Sequence, residues 1–136
     1  MTSPILALRA AILVRCAADP PLAALLGGAA TIHDEPPAGA APVYAVFGEA
    51  EARDASTSTE RAHEQDLAIR VWARPGSAAS ALAAAERIAE LLDDADLALS
   101  GHRLIRLTMT ALGIDREPRS RIARAVLRLR AVTEIV

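Results

Sequence analysis

Residues 121–133 alternate from end to end. Ala123, Ala125, Leu127, Leu129 and Ala131 share one side, and Ile122, Arg124, Val126, Arg128, Arg130 and Val132 share the other. A period of two belongs to a β-strand, whose successive side chains point to opposite faces. One face of this strand is small and apolar, and a face of that kind must be covered by another layer. The other face carries three arginines. The chain is thus committed to a sheet with one covered side, and the rest of it must supply partner strands and a cover.

The partner strands are legible at three places. Val43, Ala45 and Phe47 alternate with Tyr44, Val46 and Gly48, and Leu67, Ile69, Val71 and Ala73 alternate with Asp66, Ala68, Arg70, Trp72 and Arg74. A further strand is expected over 102–112 after Ser100-Gly101, and a short one at 31–33. Residues 49–65, with Ser56-Thr57-Ser58-Thr59 at their centre, read as a long hairpin loop. Residues 113–120 read as a charged turn, and residues 34–42 as a proline-rich loop.

Two helices supply the cover. Ser3-Pro4 is a start signal, a capping hydroxyl followed by proline at the first helical position, for a helix over 4–18. Asp19-Pro20 begins a short second helix ended by Gly27-Gly28. Pro75-Gly76-Ser77 breaks a strand and caps a helix over 78–92. Its apolar stripe is Ala78, Ala81, Leu82, Ala85, Ile88, Ala89 and Leu92. The first helix is different, because Ile5, Leu6, Leu8, Ile12, Leu13 and Val14 do not fall on one stripe. A helix apolar nearly all round needs cover on more than one side. The expected fold is α+β, one domain over 1–136, an antiparallel sheet of four to five strands with two main helices packed on one face.

Composition and motifs then exclude most chemistry. Aromatic residues make up 2% of the chain, too few to build stacking platforms for bases or sugars. A net charge of -2 argues against a dedicated nucleic-acid binder, even with fifteen arginines and no lysine. A single cysteine, Cys16, excludes a disulfide framework and a cysteine-built zinc site, and reads as a small buried hydrophobe. His33, His63 and His102 have no i, i+4 partner and no His-Glu-x-x-His context. The glycines form no phosphate loop, and no serine sits in a nucleophile elbow. No catalytic residue, cofactor or metal is expected. No apolar run reaches the ~18–20 residues of a membrane span, and Arg9 and Arg15 interrupt any signal-peptide core, so the expectation is a soluble protein made in a reducing cytoplasm.

Charge is patterned instead. Residues 49–66 carry a local charge of -4 and residues 115–130 one of +4. The two segments either pair within one molecule or dock one subunit to another, since complementary fields fix orientation and on-rate.

Several pieces in order resemble one family. They are the segment 22–26 before Gly27-Gly28, Pro42-Val43-Tyr44 with Gly48, Asp54 with the Ser/Thr run 56–59, and Glu64 before Val71-Trp72-Ala73-Arg74. Gly101-His102-Arg103-Leu104 and the closing Arg128-Leu129-Arg130-Ala131-Val132-Thr133-Glu134 complete the set. The chain is similar, end to end, to the tail-completion or tail-terminator proteins of long-tailed phages, prophages and gene transfer agents. It departs from them before the last strand, where Arg119-Ser120-Arg121 replaces a turn that often holds Trp or Gly. The resemblance implies a non-enzymatic, hexameric ring at the head-proximal end of the tail tube of a phage-like particle assembled in the bacterial cytoplasm. Its partners would be itself, the tail-tube protein and a head-side stopper or connector, with DNA passing through the lumen unread and no membrane involved. Ile5, Leu8, Ile12, Leu13, Arg124, Arg128 and Arg130 are then the expected subunit interface. Asp54, Ser56, Thr57, Ser58, Thr59, Glu60 and Arg61 are the expected axial docking loop, ordered only on assembly. The alternatives are another neck component, a stopper or head-tail adaptor, and a ferredoxin-like α+β dimer that binds a ligand or catalyses.

Overall fold

A computed structural model describes residues 3–37, 42–73 and 78–136. In chain order it contains α1 (Pro4–Ala17), α2 (Pro20–Leu25), β1 (Ile32–His33), β2 (Val43–Asp54), β3 (Ala62–Ala73), α3 (Ala78–Leu92), β4 (His102–Arg116) and β5 (Ala123–Ile135). The expected break at 75–77 and the middle of the loop at 38–41 lie outside the described residues.

The helix starts follow their capping chemistry. Ser3 Oγ accepts from the Leu6 amide at 3.2 Å, and Pro4 opens α1. Asp19 accepts from the Leu22 amide at 3.0 Å at the start of α2, which two left-handed glycines, Gly27 and Gly28, end. Each cap satisfies an amide that the first turn leaves without a partner.

Five strands form one sheet in the order β1-β2-β3-β5-β4. The fold is α+β, as expected, but the sheet is mixed. β1 lies parallel to β2, with Ile32 opposite Ala45. The other neighbours are antiparallel.

The strands β2 and β3 correct the sequence reading most. Residues 49–54 and 62–65 are strand, paired from Ala50 opposite Leu67 to Asp54 opposite His63, so the loop shrinks to 55–61. Pairing restarts after an irregularity between Phe47 and Ala50. Past it the strand is held by ion pairs rather than by apolar alternation, which is why its sequence reads as a loop.

One sheet face carries the helices. On β5, Ala123, Ala125, Leu127, Leu129, Ala131 and Thr133 are all buried beneath them, as the alternation requires. Opposite on β3 stand Ala73, Val71, Ile69, Leu67 and Gln65, also buried. Alanine on the strands and at Ala81, Ala84, Ala85 and Ala89 of α3 lets that helix approach closely, and Ile88 and Leu92 fill the remaining space. α3 packs over β3, β5 and β4, while α1 packs over β2 and against α3. Burying an Ile or Leu side chain is worth about 1.5–3 kcal/mol, so this layer is the main source of stability. The buried Gln65 amide donates to Pro4 O at 3.2 Å and Thr133 Oγ1 at 3.0 Å, fastening the start of α1 to the sheet.

Candidate assembly surfaces

The uncovered sheet face is a lattice of ion pairs. Arg128 reaches Glu49 at 2.9 Å and Arg130 reaches Asp66 at 2.9 Å, across 79 and 64 residues of sequence. Arg53 holds Glu64 at 2.7 Å and Asp66 at 2.5 Å, and Arg70 holds Glu49 at 2.7 Å. Arg124 forks onto both oxygens of Asp115 at 2.8 Å and lies over the Trp72 ring. Gly48 makes room for one of these links, because a Cβ there would run into the Arg70 guanidinium.

The two oppositely charged segments therefore pair within one chain. Arg70, a backbone amide and Arg128 hold Glu49 down at about 2, and Arg130 with Arg53 holds Asp66 below the usual carboxylate range against burial. Each exposed pair contributes little alone, about 0–1 kcal/mol. Their effect is to fix register where apolar contacts are absent. The arginines expected at a subunit contact, Arg124, Arg128 and Arg130, thus lie on this open face with partners from their own chain.

The polar groups of the loop at 55–61 bond to one another and to its own backbone. Asp54 Oδ1 accepts from the Ser56 amide at 3.0 Å, and Ser56 Oγ accepts from the Ala62 amide at 3.1 Å. Thr57 Oγ1 accepts from Glu60 N at 3.1 Å, and the Thr57 amide donates to Glu60 O at 2.8 Å. Arg61 O accepts from Ile135 N at 2.9 Å, tying the loop to β5. Ser58, Thr59, Glu60 and Arg61 are exposed. Glu134 beside Glu60 pushes the Glu60 carboxyl above its ordinary range, and Arg103 pairs with Glu134. The loop stands at one end of the sheet, and the β4–β5 turn stands at the other. Arg121 closes that turn in the left-handed region (φ 63), a conformation that favours glycine.

The first helix divides its apolar residues. Leu8 and Ile12 are 1% and 0% exposed, so they belong to the core and have no surface for a neighbour. Ile5 and Leu13 are half-buried. Leu6 and Val14, at 62% and 73% exposed, are the outward groups. With Ala10 and Ala17 they form a stripe at i, i+4, i+8 and i+11, opposite the core-facing side, while Leu13 packs partly against the core. That spacing was present in the sequence, but nothing polar marked which stripe faces out.

A second apolar strip lies on the far edge, along β4. Met109 and Ile114 are exposed, Leu112 is half-buried, and all three lie on the helix-bearing side. Between α3 and β4 runs a groove of about 420 Å³ lined by Glu86, Ala89, Glu90, Asp93, Met109 and Leu112. Asp93 accepts from Met109 N at 2.9 Å, and Asp94 N donates to Leu107 O at 2.8 Å, so this half of the strand edge is closed. The register turns the backbone groups of Leu112 and Ile114 outward in the same way. No backbone hydrogen bond closes them among the described residues.

Cys16 is buried, and desolvation, aided by Asp19, pushes its thiol up to about 11 against the pull of Arg15. No group of three His, Cys, Asp or Glu side chains converges among the described residues.

Comparison with known proteins places these surfaces in context. The family model for tail completion protein gp17 matches residues 10–134. A chain in a solved structure described as the virion of a native gene transfer agent (GTA) particle is 33% identical. That match covers 98% of this chain and 99% of that one, with a TM-score of 0.87. No curated protein matches.

Proposed function

The chain belongs to the tail completion protein gp17 family, and from that premise we propose that it is a tail terminator, a closed hexameric ring at the head-proximal end of a phage-like tail tube. Membership makes it a structural protein of a phage-type tail. The ring ends tube growth by matching the tube subunit on one face only, and its other face joins the head-side stopper or connector. DNA passes through the lumen. The arginines of the open sheet face are largely neutralised by their own acids, which suits a passage that does not retain phosphate. The work is done by one domain without catalysis, cofactor or metal, in a particle put together in the bacterial cytoplasm.

The observation that carries the ring is the outward stripe of α1. Its Leu6 and Val14 are apolar, and nothing among the described residues covers them. A cyclic assembly of identical subunits uses heterologous contacts, two different surfaces meeting around a closed circle. Axial contacts fall to the sheet ends, with the loop at 55–61 as the docking element toward the tube.

Two measurements test this. Light scattering on purified protein is expected to give a closed oligomer, and an image of the particle is expected to place it between tube and connector. Replacing residues 55–60 by a short turn is expected to leave the subunit folded and the ring intact while tails become uncapped or overlong. Tails of normal length that join heads normally would remove the loop from the docking role.

A further inference from the structure

We propose that the turn joining β4 to β5 docks on an acidic protein surface, that of the head-side component joined to the ring. The proposal rests on the ring reading above and gives the chemistry of the ring's second face.

The arginines of the open sheet face are matched by acids of their own chain, and those of the turn are not. Arg116, Arg119 and Arg121 are exposed, and none has a carboxylate partner among the described residues. Residues 1–2, 38–41 and 74–77, outside the description, include no Asp or Glu, so the chain has no further acidic side chain to offer. The one acid inside the turn, Glu117, is turned back on it, its carboxylate accepting from the Ser120 amide at 2.7 Å. Arg15, Arg61 and Arg106 also lack a carboxylate among the described residues, but each stands apart from the others. The turn is built to hold its cations still. Glu117 N donates to Ile122 O at 2.9 Å, Arg121 N to Glu117 O at 2.8 Å, and Arg116 Nη1 to Arg121 O at 3.2 Å. Arg121 has φ 63, where glycine would sit with less strain. A side chain kept in that conformation by a turn that fixes it points to a use for the side chain.

Place and chemistry name the partner. Ala73, Ala123 and Arg116 end their strands together, so the turn stands at the sheet end away from the 55–61 loop. That other end exposes Asp54, Glu60 and Arg61 and has no surplus of cations. Two ends of unlike charge suit a ring whose two faces meet different neighbours. The planar fork of an arginine fits a carboxylate through two parallel bonds. Arg124 already shows that geometry on Asp115, at 2.8 Å to each oxygen. A duplex fits less well on this reading, because an uncompensated basic tip would retain the DNA that has to pass.

The test joins purified tails to purified heads. Arg119→Glu reverses one charge, and Arg121→Gly removes another while suiting the backbone; both are placed in one chain. The denaturation midpoint of the Arg121→Gly subunit is expected at or above that of the unmodified one, which separates docking from folding. Arg119→Glu alone, at a side chain with no bond to lose among the described residues, carries the test should that midpoint fall. Tails with the double variant are expected to end at normal length and to join heads at least about tenfold more slowly. Joining by unmodified tails is expected to slow as salt rises, and joining by the variant to change less. Normal joining by the double variant overturns this contact and leaves the ring standing. Overlong tails would set the turn against the tube and overturn it too. Retention of a short DNA duplex by the unmodified protein, and not by the variant, overturns the protein partner in favour of nucleic acid. Monomers of the unmodified protein by light scattering overturn the ring reading, and the contact with it.

Discussion

The helices α1 and α3 are close in length, rich in alanine, and packed against each other over one sheet. Inside they behave alike: Leu8 and Ile12 of one, Ile88 and Leu92 of the other, are buried in a common core. Outside they differ. α3 turns Glu86 and Glu90 outward, whereas α1 turns Leu6, Ala10 and Val14 outward. A helix with a polar back is finished when its own domain has folded. A helix with an apolar back is finished when a second molecule arrives.

The comparison breaks first if the inner faces are unequal. Ile12→Ala and Ile88→Ala are each expected to cost about 2–5 kcal/mol by denaturant titration. A near-zero cost for Ile12→Ala would mean that α1 is not part of the subunit's own core.

The tie between the helices is the next test. Arg87 forks onto Asp19 at 2.6 and 2.9 Å, joining the α1–α2 corner to α3. Arg87, with help from the Leu22 amide and Arg15, holds the Asp19 carboxyl below its ordinary range, against burial. A lowered carboxylate stabilises the fold above its unfolded value, and that stability is lost as pH falls through the folded one. Melting temperature is therefore expected to fall in acid, and Arg87→Met to lower it at neutral pH and flatten its acid limb. An unchanged limb would show that other pairs, such as Asp66 with Arg130, dominate.

The smallest expected effect sharpens the contrast most. Val14→Ala and Glu86→Ala are each expected to leave the denaturation midpoint of the subunit within about 0.5 kcal/mol. Val14→Ala is expected to loosen the assembly more, as read by mass against dilution. Equal behaviour in both measurements would mean that the apolar back of α1 has no more use than the polar back of α3.

Local signals made much of this legible. α3 was bounded by its stripe at 78–92, and α1 differed by one residue, because caps, proline and period are written within a few positions. The outer halves of β2 and β3 were not legible. Their stability comes from Arg53, Glu64, Asp66 and Arg130, partners separated by up to 64 residues, and long-range pairing leaves no local pattern. The same limit hid the open-face lattice. For α1, the need for a second cover could be read from six scattered apolar residues. Which residues would meet it could not, since a helix without a polar side is oriented by packing alone. Leu8 and Ile12 therefore went to the core, and Leu6 and Val14 stand exposed.

The half-closed edge of β4 bears on how much of this protein a cell can hold. Asp93 and Asp94 seal the strand near Leu107 and Met109, and beyond them Leu112 and Ile114 offer bare backbone beside apolar side chains. Such a template accepts any extended apolar segment, its own kind included. The hazard grows with the number of subunits still waiting for a neighbour, so supply has to follow demand. Surplus copies are expected to be lost to disordered clumping through this edge.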